Sequence, residues 1–120
     1  MKLRIGLFAV IAFASLIGAS IWATGHQSIV PAINDLIANP AAGNNPWFIA
    51  TLFDTYFGFL WFWLWIAYKE SANLSRLVWL LLVLATGNMA MAAYALIQLW
   101  KLPANATIED FLLRRKRSAQ

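Results

Sequence analysis

The sequence feature that most constrains this chain is the apolar run from Trp47 to Tyr68, WFIATLFDTYFGFLWFWLWIAY, whose only charged residue is Asp54. At a rise of ~1.5 Å per residue, a helix over this run is about 33 Å long, which is enough to cross a hydrocarbon core of about 30 Å. A carboxyl group at that depth costs about 2.5–3.5 kcal/mol on insertion scales. We therefore expect Asp54 to face the protein interior and to have a partner there.

The overall composition predicts a membrane protein. Of the 120 residues, 62% are hydrophobic and 12% are charged, against roughly 25% charged residues in an average soluble domain. The apolar residues form three long runs, at about 5–24, 47–68 and 77–100. The sequence thus predicts an all-α fold, a single membrane domain over 1–120 with three transmembrane helices. It has no cysteine, which excludes disulfides and thiolate metal sites.

The first apolar run follows Lys2 and Arg4, a pattern shared by secretory signal peptides and first transmembrane helices. A signal peptide has an apolar core of about 7–15 residues and small residues at its cleavage site. This run instead continues for about 20 residues and passes through Trp22. We therefore favour a retained helix over a cleaved signal.

A short surface helix is predicted in the first loop. In the stretch IVPAINDLIAN, apolar residues including Ile29, Ile33 and Leu36 recur at roughly helical spacing, and Pro31 is tolerated in a first turn. We expect this helix to lie on the membrane surface.

A second interfacial helix is predicted in the tail, residues 104–120. Thr107 and Asp110 fit a capping box. Phe111 to Leu113 are then expected to enter the membrane interface. The basic residues that follow form a membrane-surface patch that should contact anionic headgroups. They are Arg114, Arg115, Lys116 and Arg117.

Basic residues predict the orientation only in part. One side of a three-span arrangement carries Lys2, Arg4, Lys69 and Arg76. The first loop, 25–46, has no Lys or Arg, so the positive-inside rule favours a cytoplasmic N-terminus, in a bacterial inner membrane. Three spans would place Lys101 and the basic tail on the opposite side, which conflicts with that rule. We give more weight to the first helix and the long uncharged loop.

Asp54 is the centre of a predicted polar site. Counting inward from the outer ends of the second and third spans places Asp54 level with Tyr94. The same count places Gly58 level with Asn88. Thr51 and Gly58 are helical neighbours of Asp54 and would let another helix approach. The functional interpretation is a buried site for a ligand headgroup or a proton, and the structural one is an interhelical hydrogen bond. Asp54→Asn separates the two, because it removes the titratable proton and keeps the hydrogen-bonding capacity.

Aromatic side chains cover every side of the second span, more than one neighbouring helix can bury. They include Phe57, Phe59, Trp61, Phe62, Trp63 and Trp65. Some of them must contact lipid, a ligand or another subunit. A bound lipid, quinone or pigment is one interpretation, and lipid-facing or intersubunit packing is the other. His26 is the only histidine, so it is expected to be solvated and no metal site is predicted.

Motifs for catalysis are absent from the sequence: it has no Gly-rich phosphate loop, no GxSxG and no HExxH. The basic tail lacks interleaved aromatic residues, which argues against a nucleic-acid partner. We therefore expect a small accessory or scaffold subunit that binds lipid and other membrane subunits or copies of itself, and not an enzyme. The alternative is a transporter or membrane-embedded enzyme component in which Asp54 handles a proton or binds a headgroup.

Two sequence blocks carry a resemblance to a known family. PWFIATLFDTYFGFLWFWLWIAYKE and LVWLLLVLATGNMAMAAYALIQLW, which include Asp54, Trp65, Trp79, Gly87 and Tyr94, resemble the family of small three-helix membrane proteins catalogued as domain of unknown function 1475. The resemblance implies a three-helix membrane fold and no particular activity.

Overall fold

The computed structural model describes residues 1–39 and 45–114, and every regular element in these ranges is a helix. The helices are α1 (Lys2–His26), α2 (Ile29–Ala38), α3 (Pro46–Lys69), α4 (Asn73–Thr86), α5 (Asn88–Trp100) and α6 (Ile108–Leu112). The predicted all-α class is confirmed.

Helices α1 and α3 correspond to the first two predicted spans. They contain 25 and 24 residues, and among the described residues they are the two helices long and apolar enough to cross a membrane. The start of α3 is defined locally, because the Asn45 side chain accepts hydrogen bonds from the backbone N–H groups of Trp47 and Phe48. Pro46 occupies the first turn, where its missing N–H has no consequence.

The third predicted span is not one helix, so the prediction of three spanning helices is wrong. Gly87 ends α4 and adopts φ 58° and ψ −122°, a conformation that only glycine reaches readily. The chain reverses there, and α4 and α5 form an antiparallel hairpin. At ~1.5 Å per residue, the 14 residues of α4 and the 13 of α5 extend only about 20 Å each.

The helices pack side by side in the order α1, α5, α4 and α3, each antiparallel to its neighbour. Close to the start of α1, a Cβ on Gly6 would lie 3.8 Å from Leu99 near the end of α5. The core between α3, α4 and α5 contains the fully buried side chains of Ile66, Val83 and Tyr94. The hairpin thus occupies the space between the two long helices.

The hairpin also brings the described basic residues to one end of the molecule, the end where α1 begins and α3 and α5 finish. The Lys2 ammonium donates a 2.8 Å hydrogen bond to the carbonyl of Leu102, the residue after Lys101. We call this end the basic end. The placement of Lys101 opposite Lys2, expected from three spans, is therefore corrected, because α5 returns the chain to the starting side.

The opposite parts of the two long helices extend beyond the hairpin. The hairpin turn reaches only partway along these helices. On α1 it lies level with Ile17 and Ser20, which are beside Met89, and on α3 it lies level with Phe59. All residues in 17–26 and 46–58 are exposed. We call these two segments the distal halves. Helix α2 follows the first of them and has no buried residue.

Candidate functional site

Asp54 lies in the distal half of α3 and is exposed. Among residues 1–39 and 45–114 it forms no hydrogen bond or ion pair. Its helical neighbour Thr51 is also exposed, and the Thr51 hydroxyl donates to the carbonyl of Trp47 in the same helix, at 2.8 Å. A Cβ added to Gly58 would meet no atom within 4 Å. The small face predicted around Asp54 thus exists, but none of the described helices packs on it.

Tyr94 lies elsewhere, in the core near the basic end. Its ring is fully buried and forms T-shaped contacts with the rings of Trp65 and Trp79, with centroid distances of 5.5 and 4.9 Å. Trp65 follows Asp54 by 11 residues along α3, which separates their levels by about 16 Å. The structure therefore does not bring Asp54 and Tyr94 together. Their predicted alignment assumed one continuous helix over 77–100, and the reversal at Gly87 moves Tyr94 toward the opposite end.

The Tyr94 hydroxyl is a buried polar atom that has no hydrogen-bond partner among the described residues. A buried hydroxyl without a partner costs about 1–3 kcal/mol, so the aromatic packing around the ring must outweigh it. Edge-to-face aromatic pairs contribute about 0.5–1.5 kcal/mol each beyond the burial of their area. Trp65, Trp79 and Tyr94, here called the aromatic cluster, thus stabilise the contact between α3, α4 and α5.

Asn88 occupies a third place, at the start of α5 beside the turn. Its side chain is exposed and lines a cleft of about 510 Å³ between α1 and α5. The cleft walls are mostly apolar and include Phe8, Ala12, Met91 and Phe111. A volume of this size is within the usual range for small-molecule sites. The five residues of the predicted polar site therefore lie in three separate surroundings.

The tail helix α6 is held against the basic end. Thr107 and Asp110 form the predicted capping box, because each side chain accepts a hydrogen bond from the other residue's backbone N–H, at 3.3 and 2.9 Å. Phe111 is 7% exposed and packs against Trp65, Ala95 and Leu99. The expectation that Phe111 enters the membrane interface is therefore corrected: this ring completes the protein core, whereas Leu112 and Leu113 are exposed.

Residues of α3 anchor α6 through hydrogen bonds. The Lys69 ammonium donates to the carbonyl oxygens of Phe111 and Leu113, at 2.7 and 3.3 Å. The Trp65 indole N–H donates to the carbonyl of Leu112 at 3.0 Å. Lys69 thereby provides a charged hydrogen-bond donor to the last backbone carbonyl groups of α6, at its C-terminal end.

The basic patch is described only at its start. The backbone N–H of Arg114 donates to the Tyr68 hydroxyl at 3.1 Å, which places the beginning of the patch at the basic end. Arg115, Lys116 and Arg117 lie outside the described residues.

Sequence reasoning missed Gly87 and Lys69. Gly87 carried a signal, because Gly-Asn inside an apolar run is typical of a turn, but its small neighbours also suit a packed helix. Lys69 carried none, since its partners are backbone carbonyls 42 and 44 residues away. In the part of the chain that the structure describes, no three acidic or histidine side chains converge to hold a metal ion.

Taken together, the helices define a class: a small all-α protein with two helices of membrane-spanning length, a helical hairpin packed between them and an exposed aspartic acid side chain on one of the long helices. The chain belongs to the family described as "Protein of unknown function (DUF1475)", whose model matches residues 4–118. The resemblance noted in the sequence is thereby confirmed. No curated protein and no solved structure matches the chain.

Proposed function

We propose that this chain is an integral membrane protein that acts as an accessory or scaffold subunit of a larger membrane complex. In this proposal α1 and α3 span the bilayer, and the α4–α5 hairpin enters and leaves from the basic side. Each arm of the hairpin is about 20 Å long, whereas the hydrocarbon core is about 30 Å thick. Packing of α1 along α5 supports a retained first helix.

The basic end would face the cytoplasm, in a bacterial inner membrane, by the positive-inside rule. Lys101 and Arg114 then lie on the same side of the membrane as Lys2 and Lys69, so the conflict with the positive-inside rule that three spans would create disappears. Reporter fusions at Ser71 and at the C-terminus test this orientation. We expect cytoplasmic activity at both positions, and periplasmic activity at either one would contradict it.

One observation carries the subunit proposal: the distal halves are apolar and uncovered, yet one of them contains a carboxyl group. Polar groups in transmembrane helices face a protein interior or a water-filled cavity, because in hydrocarbon they have no hydrogen-bond partners. The described residues offer Asp54 neither a partner nor a cover. Another membrane protein that packs on the distal halves would supply both.

Purification from native membranes in a mild detergent tests the subunit proposal. We expect the chain to elute with a partner at a mass well above 13.5 kDa plus detergent. Recovery as a monomer from membranes that were crosslinked before extraction would contradict the proposal.

The basic patch supports a second contact, with the bilayer surface. Arg114 begins this patch at the basic end, and each basic residue near anionic headgroups contributes about 1 kcal/mol at low salt. This contact would anchor the tail beside the hairpin.

The cleft between α1 and α5 favours a second candidate function, the binding of an apolar ligand such as a lipid, quinone or pigment. Asn88 would place one amide beside an otherwise apolar ligand. Mass spectrometry of the purified protein tests this candidate, with Ala12→Phe as a variant that fills the cleft. We expect a bound lipid-like molecule in the wild type and its loss in the variant. Equal occupancy would contradict a site in the cleft.

A proton-handling role of Asp54 in a transporter or enzyme is the alternative to the subunit proposal.

A further inference from the structure

We infer that Asp54 forms an intramembrane ion pair with a lysine or arginine in a transmembrane helix of a different protein. This inference rests on the proposed function and specifies the chemistry of the partner. Asp54 is eight residues from the start of α3, which places it about 12 Å from that end and about 22 Å from Lys69. An ionisable group at such a depth pairs with another ionisable group or with backbone carbonyls.

No residue of the described chain is positioned to pair with Asp54. The described basic residues are Lys2, Arg4, Lys69, Arg76, Lys101 and Arg114. All of them belong to the basic end, where Lys69 and Arg76 already donate to backbone carbonyls. His26, the last residue of α1, lies at the far end of that helix, and its ring contacts the carbonyl of Trp22.

The described residues of a second copy inserted in the same orientation do not supply the missing charge either. A copy inserted in the same orientation has its described basic residues at its own basic end, about 20 Å below the level of Asp54. The distal halves of such a copy contain no lysine or arginine, and His26 lies at the far end of its α1. Charge complementarity therefore points to a different protein.

The surface around Asp54 suits a close helix partner. Gly58 lies one turn further along the same face, and the space above its Cα is open. Small residues let transmembrane helices approach closely enough for short polar contacts. Phe57 and Trp61, 59% and 74% exposed, flank this opening and would pack on the partner.

A photocrosslinker at Phe57 tests the inference in the full-length chain and in native membranes. Benzoylphenylalanine at this position should form an adduct with a membrane protein, and the crosslinked peptide should map to an apolar segment that contains a lysine or arginine. An adduct with a second copy, or with a segment that lacks a basic residue, would overturn the inference and leave the proposed subunit role intact. If Phe57 forms no protein adduct, the proposed function itself fails.

Variants at Asp54 then separate a charge pair from a neutral hydrogen bond. We expect Asp54→Glu to keep the adduct and Asp54→Asn to reduce its yield by at least about tenfold, because breaking a desolvated charge pair leaves the partner's charge unpaired. The matched control is Leu52→Asp with Asp54→Leu, which keeps the composition and moves the carboxyl about 160° around the helix. It should also lose the adduct while the chain accumulates normally.

Charge exchange completes the test. Asp54→Lys should abolish the adduct, and replacing the partner's basic residue with aspartate should restore it. An undiminished adduct in Asp54→Asn, or no recovery on charge exchange, would overturn the ion pair.

Discussion

The basic end and the distal halves of this molecule differ in how much of their chemistry is satisfied within the chain. At the basic end, Phe111 and Tyr94 are buried, and Lys69 closes α6 through two hydrogen bonds. In the distal halves every residue is exposed, including the carboxylate of Asp54. The chain therefore folds on itself at the basic end and, under the proposed function, is completed by a partner at the distal halves.

The largest effect is expected in the aromatic cluster. Tyr94→Ala should lower the free energy of unfolding by about 3–5 kcal/mol, because it removes a fully buried ring that contacts both Trp65 and Trp79. Tyr94→Phe should leave stability unchanged or raise it, since the hydroxyl has no hydrogen-bond partner in the described part of the chain. Unfolding in mixed detergent micelles, followed by tryptophan fluorescence, measures both. A large loss in Tyr94→Phe would show that the hydroxyl has a partner.

The hairpin turn should be the next most sensitive position. Gly87→Ala should destabilise the protein by about 2–4 kcal/mol, because φ is positive and the new Cβ would lie 2.7 Å from Cζ of Phe59. Gly58→Ala is the matched control in the distal half of α3, where a Cβ meets no atom within 4 Å. In the same unfolding assay this control should show no loss of stability and a gain of up to about 1 kcal/mol, because alanine is the better helix former. Equal losses of unfolding free energy in Gly87→Ala and Gly58→Ala would contradict the difference in packing between the hairpin turn and the distal half of α3.

A smaller effect is expected at the contact between α3 and α6. Lys69→Met should weaken this contact by about 1–2 kcal/mol, since two carbonyl groups lose a charged donor. Hydrogen exchange of the α6 backbone amides should then become about 5–30 times faster. Lys101→Met is the control, because the Lys101 ammonium makes no hydrogen bond among the described residues. Unchanged exchange in Lys69→Met would contradict the anchoring role.

The smallest effect on the isolated chain is expected in the distal halves. Phe57→Ala should change the free energy of unfolding in detergent by no more than about 0.5 kcal/mol, because 59% of this side chain is exposed. A loss well above that value would mean that the chain covers this surface itself.

Local patterns predicted much of the fold. The runs at 5–24 and 47–68 correspond to α1 and α3, and the capping box at Thr107 and Asp110 begins α6. The reversal at Gly87 escaped prediction because both arms of the hairpin are apolar, so the run 77–100 has the composition of one span. The backbone angles of Gly87 distinguish a hairpin from a long helix, and so does the contact between the rings of Trp79 and Tyr94, whose levels one continuous helix would separate by about 22 Å.

The candidate site was harder to predict, because its geometry depended on that reversal. Counting residues along one continuous helix gives Tyr94 the same depth as Asp54. This count is wrong because the chain reverses at Gly87. Asp54 was identified by charge and depth alone, which do not depend on the fold of 77–100. Its predicted partner was sought within the chain, whereas the structure leaves its face uncovered.

Photocrosslinking at Phe57 and Leu81 in native membranes tests the central contrast most directly. Both side chains are 59% exposed, one in the distal half of α3 and the other on α4 in the hairpin. Since the two side chains are equally accessible, any difference between their adducts is due to the molecules that surround each position in the membrane. We expect a protein adduct at Phe57 and only lipid adducts at Leu81. Lipid adducts alone at both positions, or the same protein adduct at both, would contradict this expectation.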